Sequence, residues 1–150
     1  MSLLIREATE ADLPGVLALY GQSGLDNDAV LSLAQAREVF QQFARYPSYR
    51  LFVACEPAFP DSVIATYALL VMHNLAHCGA PSAIVEDVVV HPQRQGRGIG
   101  RQLMAHAIEQ AREAGCYKLA LSSNAKRQAA HAFYESLGFQ RHGLSFVIET

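Results

Sequence analysis

Val88-Val89-Val90-His91-Pro92-Gln93-Arg94-Gln95-Gly96-Arg97-Gly98-Ile99-Gly100-Arg101-Gln102-Leu103-Met104 reads as a strand, a glycine-rich turn and the first turn of a helix. The β-branched run stops at Pro92, three glycines alternate with Arg97 and Ile99, and a helical apolar stripe begins at Leu103 and Met104. Glycines let backbone N–H groups converge without a Cβ in the way. A helix start leaves unpaired donors and a partial positive charge, and Arg94, Arg97 and Arg101 stand nearby. The guest this pattern predicts is a phosphate or pyrophosphate, held by main-chain N–H groups of Gln95, Gly96, Arg97, Gly98, Ile99, Gly100 and Arg101.

Spacing narrows the choice of ligand. A Walker A loop requires Gly-Lys, a pair that occurs nowhere in the chain. A dinucleotide fingerprint requires G-x-G-x-x-G, whereas Gly96-Arg97-Gly98-Ile99-Gly100 is followed by Arg101. The acid expected about twenty residues on is also missing, since Lys118–Leu121 runs into Ser122-Ser123-Asn124.

What remains is Gln95-x-x-Gly98-x-Gly100, which resembles the acetyl-CoA loop of the Gcn5-related N-acetyltransferases. Ile84–Val90 is similar to that family's central strand, and Gly115–Leu121 to its next strand. Asn124 followed by Ala132-Phe133-Tyr134-Glu135-Ser136-Leu137-Gly138-Phe139 resembles the helix and turn after it. Ile5–Asp12 resembles the family's opening strand and first-helix start. Within the family, Ile84–Val90 and Gly115–Lys118 resemble the glucosamine-6-phosphate N-acetyltransferases. The resemblance implies one domain over residues 1–150, of α/β class. Its sheet would be mixed, mostly antiparallel and twisted, with about six or seven strands flanked by about four helices.

Composition agrees with a single core. The chain has 150 residues, 51% of them hydrophobic and 17% charged. A net charge of -2 offers no basic field for nucleic acid or an anionic membrane. Cys55, Cys78 and Cys116 lack disulfide or zinc spacing, and His73 and His77 flank a strand end rather than share a helix face, so no metal is expected. Arg6, Glu7, Glu10 and Asp12 interrupt any signal-peptide pattern, and a cytoplasmic protein is the expectation. The resemblance adds a homodimer.

Along the chain, Leu3–Glu7 predicts a strand, and Thr9 with Asp12 a helix start running through Tyr20. Ala29–Arg45 shows helical spacing up to Pro47. Tyr49–Glu56 and Ser62–Leu75 predict antiparallel strands, followed by Ser82–Val90. After the loop, Leu103, Met104, Ala107, Ile108 and Ala111 mark a buried helix face, with Gly115 placed to end that helix. Two last strands are expected around Phe139–Arg141 and Ser145–Glu149.

Acetyl transfer to an amine needs a neutral nucleophile, stabilisation of the oxyanion and a proton for the departing thiolate. An alkylamine of pKa about 10.4 is only about one part in 10³ neutral at pH 7, so a base helps. The resemblance points to Glu86 as that base, directly or through water. Strand alternation turns Asp87 to the other face unless a bulge intervenes; family members carry such a bulge, which keeps Asp87 as second choice. Tyr134 matches the tyrosine that reaches the CoA sulfur in relatives and would protonate the thiolate. Val88, Val89 and Val90 would line the pantetheine arm, Val88 and Val90 pairing with it by backbone. Asn124 would cap the last helix and touch the arm, and Arg127 would approach the adenosine phosphates. The resemblance thus implies acetyl-CoA as donor and the primary amine of a small molecule as acceptor, an amino-sugar phosphate as first guess, with direct attack of the amine in a ternary complex. The weighed alternative is a non-catalytic acyl-CoA sensor or interaction module on the same fold.

Overall fold

The computed structural model describes residues 2–150. The chain divides into two compact units, one ending at Ala120 and the other spanning Leu121–Thr150. The described residues form five strands: β1 Leu4–Glu7, β2 Tyr49–Glu56, β3 Phe59–Met72, β4 Ser82–Val90 and β5 Leu119–Leu121. The four longer helices are α1 Leu13–Ser23, α2 Leu33–Phe43, α3 Ile99–Glu113 and α4 Gln128–Ser136. No helix among these residues is long and apolar enough to cross a membrane.

The sheet follows chain order, β1-β2-β3-β4-β5. Its first three pairings are antiparallel. At the start of β4 the pairing changes direction: Tyr117 N–H donates to Pro81 O and Ala83 N–H to Lys118 O, numbers rising together as parallel neighbours require. The sheet is therefore mixed. The count of six or seven strands is corrected to five, because Phe139–Arg141 and Ser145–Glu149 form no ladder. Leu144, Phe146, Val147 and Ile148 stand 84–93% exposed. β-propensity in a segment produces a strand only when an edge pairs with its N–H and C=O groups.

The core lies on both faces of the sheet. Successive strand residues alternate, so Leu51 and Val53 of β2 pack with Leu13 and Val16 of α1 and Ala36 of α2. Phe52 points the other way and stacks on Tyr67 of β3 at 5.2 Å. There it meets His106 of α3 edge-on at 4.9 Å. Tyr67 is fully buried, and its Oη lies 2.7 Å from His106 Nδ1. Burial raises the Tyr67 pKa and lowers that of His106. The phenol and the imidazole share this hydrogen bond, a polar clasp between helix and sheet.

The entry to α1 is tied down by charge. Arg6 reaches both carboxylate oxygens of buried Asp12 at 2.7 and 2.8 Å, and Asp12 Oδ2 accepts the Thr9 N–H at 2.7 Å. A 3-10 turn at Glu10–Asp12 precedes the helix proper, which runs three residues beyond the expected end at Tyr20. Helix α2 is shorter than its apolar pattern. Ser32 caps it, its Oγ accepting the Gln35 N–H at 3.2 Å while Gln35 Oε1 takes the Ser32 N–H.

Candidate active site

Strand β4 leads into the glycine loop. Val90 is followed by a 3-10 turn at Pro92–Arg94, then Gly96 and Gly98 take φ of 76° and 77°. Both angles lie in the left-handed region where a Cβ is penalised, so glycine is required by conformation. The space a Cβ would enter at either residue is open within 4 Å. Gly98 is the N-cap of α3, and the first intrahelical bond runs from Gln102 N–H to Gly98 O at 3.1 Å. The N–H groups of Ile99, Gly100 and Arg101 therefore have no carbonyl one turn back within the helix. Open amides, a helix N-terminus and a wall without side chains are what an anion needs, and these residues fit a pyrophosphate. Arg94 is engaged elsewhere, paired with Glu56 across the sheet end. Arg97 and Arg101 stand exposed at the loop.

Buried Ile99, Leu103, Met104, Ala107 and Ala111 hold α3 against the sheet, so the loop is mounted on a fixed helix. At the far end Gly115 takes φ 74°, and Cys116 N–H donates to Ala111 O, which completes the predicted helix stop. Cys116 is half-buried and burial raises its pKa, the opposite of what a nucleophilic thiol needs.

The carboxylates of β4 are set by an irregularity in the sheet. Thr66 faces Val89 and Ala68 faces Glu86, so Asp87 and Val88 together oppose Tyr67 alone. This is a β-bulge, and its first residue, Asp87, takes φ 53°. Glu86 continues the row Leu51, Ala68, Glu86 across three strands. Leu51 and Ala68 belong to the α1/α2 face, which assigns Glu86 to that face as well. The extra residue removes the alternation that would have separated its neighbour. Burial first, and then the Asp87 charge, raises the pKa of Tyr20 on α1 and of Tyr49 on β2, with Glu86 also acting on Tyr49. Burial, then Asp26 from the α1–α2 connection, raises the pKa of Asp87 itself.

Tyr20, Asp26 and Tyr49 carry no site signal in the sequence. They come from a helix end, a turn and a strand start, and only tertiary packing brings them to Asp87. In the α1–α2 connection that carries Asp26, Asn27 and Asp28 take left-handed φ of 53° and 65°.

Val88 and Val90 are half-buried and Val89 is buried. Strand β4 has nine residues and β5 three. Their pairing begins at the start of β4, so the Val88–Val90 edge extends beyond β5. Gln95 Nε2 sits 3.4 Å from Val90 O.

In the second unit Tyr134 lies on α4 among Phe133 and Phe139, with ring centroids at 5.3 and 5.9 Å. Burial raises its pKa, and Arg127 works against that rise. Asn124 is corrected from helix cap to turn residue: its Oδ1 accepts the Lys126 N–H at 2.9 Å and its backbone O the Arg127 N–H. The N-cap position of α4 is Arg127. A side-chain carbonyl ahead of the helix draws the local donors into a turn, so the helix begins later. His131 Nε2 completes the cluster, 2.8 Å from Asn124 O.

Comparison with known proteins adds the family. The family described as "Acetyltransferase (GNAT) family" matches residues 17–139. An aminoalkylphosphonate N-acetyltransferase of Salmonella typhimurium is 39% identical over 143 residues, covering 95% of this chain and 88% of the relative. The rice protein (Oryza sativa subsp. japonica) named probable glucosamine 6-phosphate N-acetyltransferase 2 is 33% identical over 144 residues, covering 95% and 83%. Among solved structures, an acetyltransferase of Trypanosoma brucei superposes with a TM-score of 0.84 at 29% identity, covering 99% of this chain and 100% of that one. With the loop, the mixed sheet and a match across most of its length, this chain belongs to the GNAT family of acetyltransferases and is an acyltransferase.

Proposed function

We propose that residues 1–150 form one working N-acetyltransferase domain that moves the acetyl group of acetyl-CoA to the primary amine of a small molecule by direct attack. The observation that carries the reading is the β4 bulge beside the left-handed glycine loop. One strand thereby supplies both the carboxylates and the lead into the anion cradle.

In this reading the open amides from Gln95 to Arg101 hold the pyrophosphate, and the Val88–Val90 edge pairs with the pantetheine arm as an added strand would. The coenzyme supplies an activated acyl group as a thioester. Glu86 takes a proton from the acceptor ammonium, directly or through water, a role Asp87 shares through the bulge; the neutral amine then attacks the thioester carbonyl, and the C–N bond forms as the C–S bond breaks. A carboxylate whose pKa is raised toward the working pH is a better proton acceptor, which favours Asp87 more than alternation alone would allow. Tyr134 donates its phenolic proton toward the departing sulfur, and Asn124 and Arg127 contribute to coenzyme binding. Family membership and the Phe133-Tyr134-Glu135 pattern support these roles.

The test is thiol release from acetyl-CoA across a panel of amines, repeated with Tyr134→Phe. The variant should lose about 10²-fold or more in kcat while its affinity for CoA, measured by calorimetry, changes less than about threefold. Unchanged turnover would remove Tyr134 from the mechanism. Absence of turnover with every amine would remove the enzyme reading.

A further inference from the structure

Between the end of β4 and the start of α3 the chain has few anchors. Val90 pairs with Ala65, and His91 N–H donates to Ile64 O at 2.8 Å, the last bond that holds this end of β4 to β3. The chain is next held at buried Ile99. Most hydrogen bonds in between stay local: Arg94 N–H to His91 O at 2.8 Å, Gln93 N–H to His91 Nδ1 at 3.2 Å, and Gln95 Nε2 to Val90 O at 3.4 Å. They shape a turn without fixing it to another element. Gly96 and Gly98, which follow, have no side chain to pack and the widest backbone freedom.

Among the described residues, one bond ties this stretch to a different strand, from Arg94 Nη1 to Glu56 Oε1. Glu56 is the last residue of β2 and pairs with Phe59, where β3 begins. The β2–β3 hairpin therefore runs on past the end of β4, and the long Arg94 side chain reaches beyond β3 to β2. Phe59, Ser62 and Ile64 of β3 line the space beside the pair. That space measures about 20 Å³, room for about one water and too little for a phosphate.

The Glu56 side chain is 15% exposed and that of Arg94 36%. A carboxylate so covered needs a counter-charge, and Arg94 is the cation paired with it. A charge-assisted bond in this partly buried setting is firmer than a pair in open solvent. Arg94 immediately precedes Gln95, so the bond fixes the chain one residue before the amides of the anion cradle begin. The pair is neutral as a whole. Its effect on an anion is therefore one of placement, not of charge.

We propose that Arg94 and Glu56 are positioning residues for the coenzyme: their bond holds the glycine loop in its anion-binding shape before the coenzyme arrives, and Arg94 acts through Glu56 rather than by touching phosphate. The proposal rests on the acetyl-CoA reading of the loop and adds a residue of β2 to coenzyme binding. A loop already ordered loses less freedom on binding, so affinity is gained without a contact to the ligand. Without the tether the glycine segment samples other shapes, and the apparent affinity falls with the fraction of loops still competent to bind. Transfer of the acetyl group from the filled site is left as it was.

The experiment is a double-mutant cycle on CoA affinity, measured by calorimetry in the parent protein, Glu56→Ala, Arg94→Ala and the double variant. Thiol release with the amine best accepted by the parent gives kcat and the KM for acetyl-CoA alongside. Each single variant should bind CoA about fivefold or more weakly, with KM rising by a similar factor and kcat at saturating acetyl-CoA within about twofold of the parent. The double variant should bind within about twofold of the weaker single one, because the second substitution has no bond left to break. Simple loss of folded protein would lower the titration stoichiometry and kcat while leaving Kd and KM unmoved, and that pattern overturns the proposal. If Glu56→Ala binds as tightly as the parent or more tightly while Arg94→Ala binds weakly, Arg94 is a phosphate ligand and the tether is overturned. Losses that multiply in the double variant, or unchanged affinity in both single ones, overturn it as well. A parent protein with no measurable affinity for CoA overturns the acetyl-CoA reading together with the tether.

Discussion

At the scale of single residues, Asp87 carries the most testable chemistry. Its carboxyl is held above the ordinary carboxylate range by burial and by Asp26. If its ionised form serves the reaction, activity falls as pH drops through that raised pKa, so the acidic limb of kcat/KM lies above the usual value of about 3.9. Asp26→Asn removes a like charge and should move the limb to lower pH. Glu86→Gln and Asp87→Asn should each cost about 10²-fold or more if they serve as base, and the substitution that abolishes the limb identifies which one does. An unmoved limb in all three variants would mean that neither carboxylate titrates in the rate. Asp87 also shows how a single left-handed residue reorganises a strand: its φ of 53° cancels the alternation that separates neighbours in the sequence.

At the scale of elements, helix α3 is both the buried partner of the sheet and the mount of the anion cradle. Gly98→Ala forces a Cβ into a left-handed N-cap at a cost of about 1–2 kcal/mol. The loop relieves this by changing shape. CoA affinity should therefore fall about tenfold or more by calorimetry, with little change in the far-ultraviolet helix signal, and an unchanged affinity would remove this loop from the pyrophosphate site. The clasp between Tyr67 and His106 ties the same helix to β3. The folded-state pKa of His106 is lowered, so the unfolded chain takes up its proton first as pH falls. Its contribution is intact above the unfolded value of about 6.5 and is lost progressively as pH descends toward the folded value. Chemical denaturation between pH 7.5 and 5 should show this slope, and His106→Phe should flatten it. The helix and its glycine stop were readable from Leu103, Met104, Ala107 and Gly115, whereas the clasp was not, since Tyr67 and His106 are 39 residues apart.

At the scale of the molecule, the fold is anchored where the chain first leaves the sheet. Arg6 and Asp12 form a two-pronged ion pair, with Asp12 5% exposed and Thr9 adding a backbone bond. Asp12→Asn weakens the charge-assisted bonds that its buried carboxylate takes from Arg6 and from the Thr9 N–H, and should destabilise by about 2–4 kcal/mol. For a chain of this size that lowers Tm by roughly 5–15 °C, measurable by calorimetry. Arg6 and Thr9 depress the Asp12 pKa, so its stabilisation is present above the unfolded value of about 3.9 and lost as pH falls through the lower folded one. Acid unfolding of the Asp12→Asn protein should lack that component.

The order of elements, the glycine loop, the buried face of α3 and the family are properties of local sequence. Residues a few positions apart determine turn, strand and helix through φ preferences and apolar period, and Gly96, Gly98 and Gly115 are written into the chain where left-handed backbone is needed. The strand count went astray at Ser145–Glu149 because strand formation depends on a partner edge, which propensity does not encode. The β4 bulge and the meeting of Asp26, Tyr20 and Tyr49 around Asp87 belong to tertiary structure alone. Each depends on register across strands and on packing between segments tens of residues apart, where a shift of one residue would turn the same side chains to the other face.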